Sequence, residues 1–149
     1  MKFYAATIRG VNKTSSEDRI LLDDMVLKET VRVYETEQPQ IFGICDGVGG
    51  ISGGALASDF LCQNAKKYLL EDPETGAKRL ASALLEYAQG FVQERRMAST
   101  MTMVLPSKNI IVHVGNTRVY RMIRGYLRQI TTEHTTRQML IQQDRKSVV

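Results

Sequence analysis

The chain has 149 residues, 43% of them hydrophobic and 24% charged, which suits one folded domain over 1–149 and argues against general disorder. Its net charge of +4 and isoelectric point of about 9.2 come from scattered lysines and arginines, with doublets only at Lys66-Lys67 and Arg95-Arg96. Nucleic acid calls for a more concentrated basic face, so no nucleic-acid partner is expected, whereas a mildly basic surface suits phosphorylated, anionic partners.

No apolar signal core follows Met1 and no run of about 18 apolar residues occurs, so no membrane contact and a cytoplasmic location are expected. Cys45 and Cys62 sit in apolar runs. Two cysteines make neither a disulfide framework nor a zinc set, so they read as small buried hydrophobes.

In chain order, Phe3 to Arg9 reads as a first strand. Arg19 to Leu27 and Thr30 to Thr36 read as a second and third, separated by a turn at Lys28-Glu29. Val31 and Val33 alternate with charged residues, the pattern of a half-buried strand. After Pro39, the continuously apolar Ile41 to Cys45 suits a strand covered on both faces. From Ala55 the period changes: Ala57, Phe60, Leu61, Ala65, Tyr68 and Leu69 follow helical spacing. Asp72-Pro73 is a second helix start, a side-chain acceptor followed by proline at the first helical position. Leu80, Ala81, Leu84, Leu85, Ala88, Phe91 and Val92 mark that helix's apolar stripe.

Alternation returns at Ser99 to Leu105, where Met101 and Met103, like Met97, read as core filler. Pro106 to Asn109 turns into a strand at Ile110 to Val114. Gly115-Asn116-Thr117 turns into Arg118 to Ile123, and Gly125-Tyr126 into Leu127 to Thr131. A polar, helix-like stretch follows His134. Strands do not alternate with helices, so a doubly wound parallel sheet is excluded; antiparallel sheets with outer helices are expected.

The sharpest chemical feature is Asp46 at the end of a buried strand, followed by Gly47, Gly49 and Gly50. A carboxylate beside a glycine turn is a place for a hard metal ion, and glycine lets the Gly47 carbonyl approach as a ligand. The same residues also make a plain strand-to-helix turn. The segment lacks the lysine of a phosphate-cradling P-loop. Glu17-Asp18 opens a strand as a second acidic pair. Neighbours on a strand point to opposite faces, so only one of them faces Asp46 directly unless the pair sits at a bend.

Five segments in order carry a resemblance. Gly10-Val11-Asn12-Lys13-Thr14-Ser15-Ser16-Glu17-Asp18 resembles the opening motif of the PPM (type 2C) protein phosphatases. Phe42 to Gly50 resembles their Asp-Gly-x-Gly-Gly segment, and Ala98 to Thr102 their Gly-Thr-Thr strand. Val114-Gly115-Asn116-Thr117-Arg118 is similar to their Val-Gly-Asp-Ser-Arg hairpin. Thr131-Thr132-Glu133-His134-Thr135 is similar to their Thr-x-Asp-His-Ser.

The resemblance implies an α+β fold: a layered αββα sandwich of antiparallel sheets flanked by helices, here incomplete at the C-terminus. It implies two Mg²⁺ or Mn²⁺ ions, with Asp46 bridging both, the Gly47 carbonyl on one, and Glu17 and Asp18 holding metal or its waters. The implied reaction is hydrolysis of phosphoserine and phosphothreonine in proteins.

The sequence departs from the pattern at several positions. Lys13 stands where the family has a phosphate-binding arginine, a point charge in place of a bidentate fork, with Arg9 nearby to compensate. Val48 stands where many members have histidine, and Asn116 replaces the hairpin aspartate, a position read as structural. The family's two downstream metal-binding aspartates have no counterpart, since Asp144 lies in an unrelated Gln-Asp-Arg. His113, on a strand face with Ile111, reads as packed or half-exposed, and His134 follows a family motif whose role reads as structural. Two further readings follow: a pseudophosphatase that binds phosphoprotein without turnover, and self-association through unpaired sheet edges.

Overall fold

A computed structural model describes residues 1–48, 53–91 and 97–147, the last four by backbone alone. Gly49, Gly50, Val92, Arg95-Arg96 and the Asp144 side chain lie outside the described residues. The elements are β1 (Lys2–Thr7), β2 (Asp18–Leu22), β3 (Met25–Leu27), β4 (Thr30–Glu35), β5 (Phe42–Asp46), α1 (Gly54–Leu69), α2 (Pro73–Gln89), β6 (Met101–Leu105), β7 (Ile110–Val114), β8 (Tyr120–Ile123), β9 (Tyr126–Gln129) and α3 (Thr136–Ser147). Every named strand pair is antiparallel: a five-stranded sheet in the order β3-β2-β5-β6-β7, a ribbon of β1 with β4, and a β8–β9 hairpin.

The two faces of the five-stranded sheet do different work. Leu21, Cys45, Met101, Met103 and Leu105 point to one face, where α1 and α2 add Leu61, Cys62, Ala65, Leu69 and Leu80 to form the main core. Ile20, Phe42, Ile44 and Val104 point to the other, where the β1–β4 ribbon lies across them and Phe3 meets Phe42 edge to face at 5.0 Å. The expected α+β layering holds. Both cysteines are buried and free, and Met97, Met101 and Met103 are buried as core filler. The Asp72 carboxylate caps α2 by accepting from the Glu74 and Thr75 amides.

Several expectations need correction. The strand expected over Arg19 to Leu27 is two strands joined at Asp23-Asp24, with Asp23 at φ 53. The Asp23 carboxylate accepts from the Gln40 and Ile41 amides at 2.7 and 3.3 Å, so a two-residue hairpin turn replaces continuous strand. Val31 and Val33 do not face the core. They lie on the outer face of the ribbon with Tyr4 and are 70% and 55% exposed, because their neighbour Tyr34 takes the inner face opposite Phe3. On α2, Ala81 and Leu85 fall outside the buried stripe, which runs through Leu80, Leu84 and Ala88.

Gly43 sits mid-strand where a Cβ would stand 2.1 Å from the Thr102 carbonyl oxygen and 2.6 Å from Met103 Sδ. Gly43→Ala therefore has to push β5 from β6 and is expected to cost about 1–3 kcal/mol. A lowered urea midpoint with an unchanged slope checks this.

Candidate functional site

The register of β2 against β5 places Asp18 directly opposite Asp46. Both lie in phase with Ile20 and Ile44, on the ribbon side of the sheet. A cleft of about 420 Å³ opens there, lined by Asp18 and Asp46, by the polar Thr7, Asn116 and Thr117, and by the apolar Ala6, Ile8, Ile20 and Ile44. Like charges opposite one another on adjacent strands repel. The Asp46 carboxyl is held above its ordinary value, first by loss of hydration in the cleft and then by the Asp18 carboxyl beside it, with Lys13 opposing.

Strand alternation decides between the two acidic neighbours. Asp18 faces Asp46, whereas Glu17 turns to Lys13, whose ammonium pairs with its carboxylate. Glu17 also lies against the start of α1, where a Cβ on Gly54 would come 2.7 Å from Glu17 Oε1. The helix dipole favours an anion at that end. Lys13 is shifted upward by the hydrogen bond and charge of Glu17, with smaller contributions from Asp18 and Asp46, so its charge borders the site. Arg9 donates to the Thr14 carbonyl at 3.3 Å and braces the loop that carries Lys13. Gly47 is required by close approach: a Cβ would stand 2.3 Å from the Gly54 carbonyl oxygen and 2.8 Å from that of Glu17. Its N–H donates to the Glu17 carbonyl at 3.2 Å, and the Ser58 hydroxyl donates to the same oxygen at 2.5 Å.

Sequence reading missed three supports. Arg19 is 5% exposed and points to the helix side. It donates from Nε and Nη2 to the Asp59 carboxylate at 2.7 and 3.0 Å, and from Nη1 to the Ser16 and Asp18 carbonyls at 2.9 and 2.8 Å. One guanidinium thus ties α1 to the backbone that presents Asp18. Asp59 lies 40 residues away, beyond any local pattern. Ser99 and Thr100 hold the Asp46 peptide from the neighbouring chain segment. Asn116 and Thr117 line the cleft itself; their place in a resembling motif was the available signal.

The histidines do not line the cleft. His113 Nε2 donates to the Thr132 carbonyl at 3.1 Å while Nδ1 accepts from the Thr102 hydroxyl at 2.9 Å. His134 Nδ1 accepts from the Gly115 amide at 3.3 Å. Burial and the neighbouring His134 hold His113 below the ordinary histidine value. Both rings pin the segment before α3 to β7, a structural use.

Asp18 and Asp46 supply a hard donor set. Mg²⁺ commonly sits on one or two carboxylates and keeps its remaining waters, so the pair fits one such ion. The described residues gather no group of three or more His, Cys, Asp or Glu side chains, so they do not complete a two-ion centre.

No protein-family model matches the chain. A probable protein phosphatase 2C of rice is 24% identical, over 83% of this chain and 36% of its own length. The serine/threonine protein phosphatase PstP of Mycobacterium tuberculosis is 26% identical, over 97% of this chain and 27% of its own. The crystal structure of that phosphatase superimposes with a TM-score of 0.71 at 24% identity, covering 97% of this chain and 60% of the solved one. The chain is a distant homologue of the PPM phosphatases. The PPM likeness extends to the Staphylococcus aureus phosphatase Stp1, with a TM-score of 0.69 at 21% identity, over 97% of this chain and 57% of the other. A structure of the PstP catalytic domain, covered to 61%, holds two manganese ions. The chain therefore spans well under two thirds of these PPM relatives.

Proposed function

We propose that the Asp18–Asp46 cleft hydrolyses phosphoserine and phosphothreonine in proteins with the help of bound Mg²⁺ or Mn²⁺. The observation that carries this reading is the direct opposition of two carboxylates across β2 and β5 in the lining of one cleft. The homology to PPM serine/threonine phosphatases supports it. Asp18 and Asp46 would hold the ion, which supplies Lewis-acid activation of water and charge neutralisation at phosphorus when bound.

The remaining roles fall to the chain. The water oxygen joins phosphorus, and the bond from phosphorus to the seryl or threonyl oxygen breaks. Lys13 at the rim draws in the phosphoryl group as a point charge, at the expense of its pairing with Glu17. The Asn116 amide is a neutral donor for a phosphoryl oxygen. Val48 brings no proton, so the departing alkoxide takes one from water.

A second reading, phosphoprotein binding without turnover, is favoured by the missing third ligand among the described residues. Phosphate release from a phosphothreonine peptide, with and without Mn²⁺, tests both. Mn²⁺-dependent release supports hydrolysis. Saturable peptide binding without release supports the binding module, and neither result removes the cleft as a phosphate site.

A further inference from the structure

We infer that the Ser99-Thr100 dipeptide is the positioning element of the carboxylate site, with the Thr100 hydroxyl coupling Asp46 to the turn that carries Asn116. This inference rests on the functional reading above.

The ladder holds Asp46 from one side only, through its pairing with Asp18 on β2. On the other side, regular pairing of β5 with β6 covers Phe42, Gly43 and Ile44, and the two segments meet again only in the single bridge of Gly47 with Ser99. Between the two, side-chain hydroxyls join the backbone in holding Asp46. Thr100 Oγ1 accepts from the Asp46 amide at 3.2 Å. The Asp46 carbonyl accepts from the Thr100 amide at 2.8 Å, and the one proton of the Ser99 hydroxyl is shared between that carbonyl at 3.0 Å and the Thr100 carbonyl at 2.8 Å. Both ends of the Asp46 residue are thereby clamped by one dipeptide, which limits where its carboxylate can point.

Thr100 also reaches the opposite wall. Its hydroxyl shares a 2.9 Å hydrogen bond with the Thr117 hydroxyl. Its methyl lies beneath Gly115, which has φ +112 and where a Cβ would stand 2.6 Å from Thr100 Cγ2. Asn116 lies between these two points of attachment. The hydroxyl therefore links the carboxylate to the Asn116 turn, while the methyl seats the turn by packing. A valine at this position keeps the methyl and loses the link; a serine keeps the link and loses the methyl.

The test is Mn²⁺ binding by calorimetry to wild type, Thr100→Val and Thr100→Ser, with thermal unfolding of each metal-free chain. Loss of the hydroxyl link is expected to weaken Mn²⁺ binding about tenfold in the valine variant, the effect of roughly one hydrogen bond, with near wild-type affinity in the serine variant. Thr117→Val, on the surface turn, is expected to weaken binding in the same direction and replaces Thr100→Val if that variant does not fold. Equal affinity in all the variants while wild type binds overturns this inference alone. Affinity that falls only in step with melting temperature, in serine and valine variants alike, also overturns it, because packing then suffices. A wild-type chain that binds no Mn²⁺ overturns the functional reading and this inference with it.

Discussion

Asp46→Asn is expected to abolish Mn²⁺-dependent phosphate release, by about 10³-fold or more, while raising the thermal stability of the metal-free chain at neutral pH. The two effects have one origin. Asp46 faces Asp18 across paired strands, and its carboxyl is held above the ordinary range by lost hydration and by that neighbour. A carboxyl whose folded value is raised contributes stability that is complete below its unfolded value and is lost as pH rises through the folded one. At neutral pH the ionised pair is a liability that a bound cation relieves. The asparagine keeps the shape and removes one charge. The melting-temperature gain should shrink as pH falls and Asp46 of the wild type takes up its proton. Activity assays paired with melting curves over pH check both halves. A variant less stable than wild type at neutral pH would show that the carboxylates do not oppose each other in the free chain.

Arg19→Met is the second large effect. The guanidinium is buried and satisfies two carbonyls and the Asp59 carboxylate, whose side chain is 34% exposed. Asp59 can rehydrate once the guanidinium is gone, so the cost comes mainly from the carbonyls left without a donor and is expected to be about 1–3 kcal/mol. Arg19→Lys keeps the charge without the planar fork and should fall between. Because Nη1 holds the Asp18 carbonyl, the methionine variant is also expected to bind Mn²⁺ more weakly. Urea unfolding and calorimetry on the two variants measure these effects separately.

Legibility varied with the range of the interaction. The α2 cap at Asp72, the strand end at Asp46 and the antiparallel class are local signals, and all are present in the structure. The rule that strand neighbours face apart already required Glu17 and Asp18 to separate; the register decided which one meets Asp46. The outward turn of Val31 and Val33 was not legible, because both faces of a two-stranded ribbon carry apolar residues here and alternation alone does not say which is inside. Asp23-Asp24 lacks the glycine of the commonest tight hairpins, so the break in the second strand left little trace. Arg19 with Asp59, and Thr100 with Thr117, are pairings that only the fold creates.

The succession Asp18, Arg19 has a consequence for assembly. Sliding β2 by one residue against β5 would exchange the two faces, bringing Asp18 under the helices and Arg19 into the cleft. Asp59 would then meet a carboxylate in place of the guanidinium that binds it. The misaligned chain thus loses its core and its Arg19–Asp59 ion pair in the same movement. Correct alignment of the acidic cleft is proofread from the opposite side of the sheet, by a side chain that points away from it.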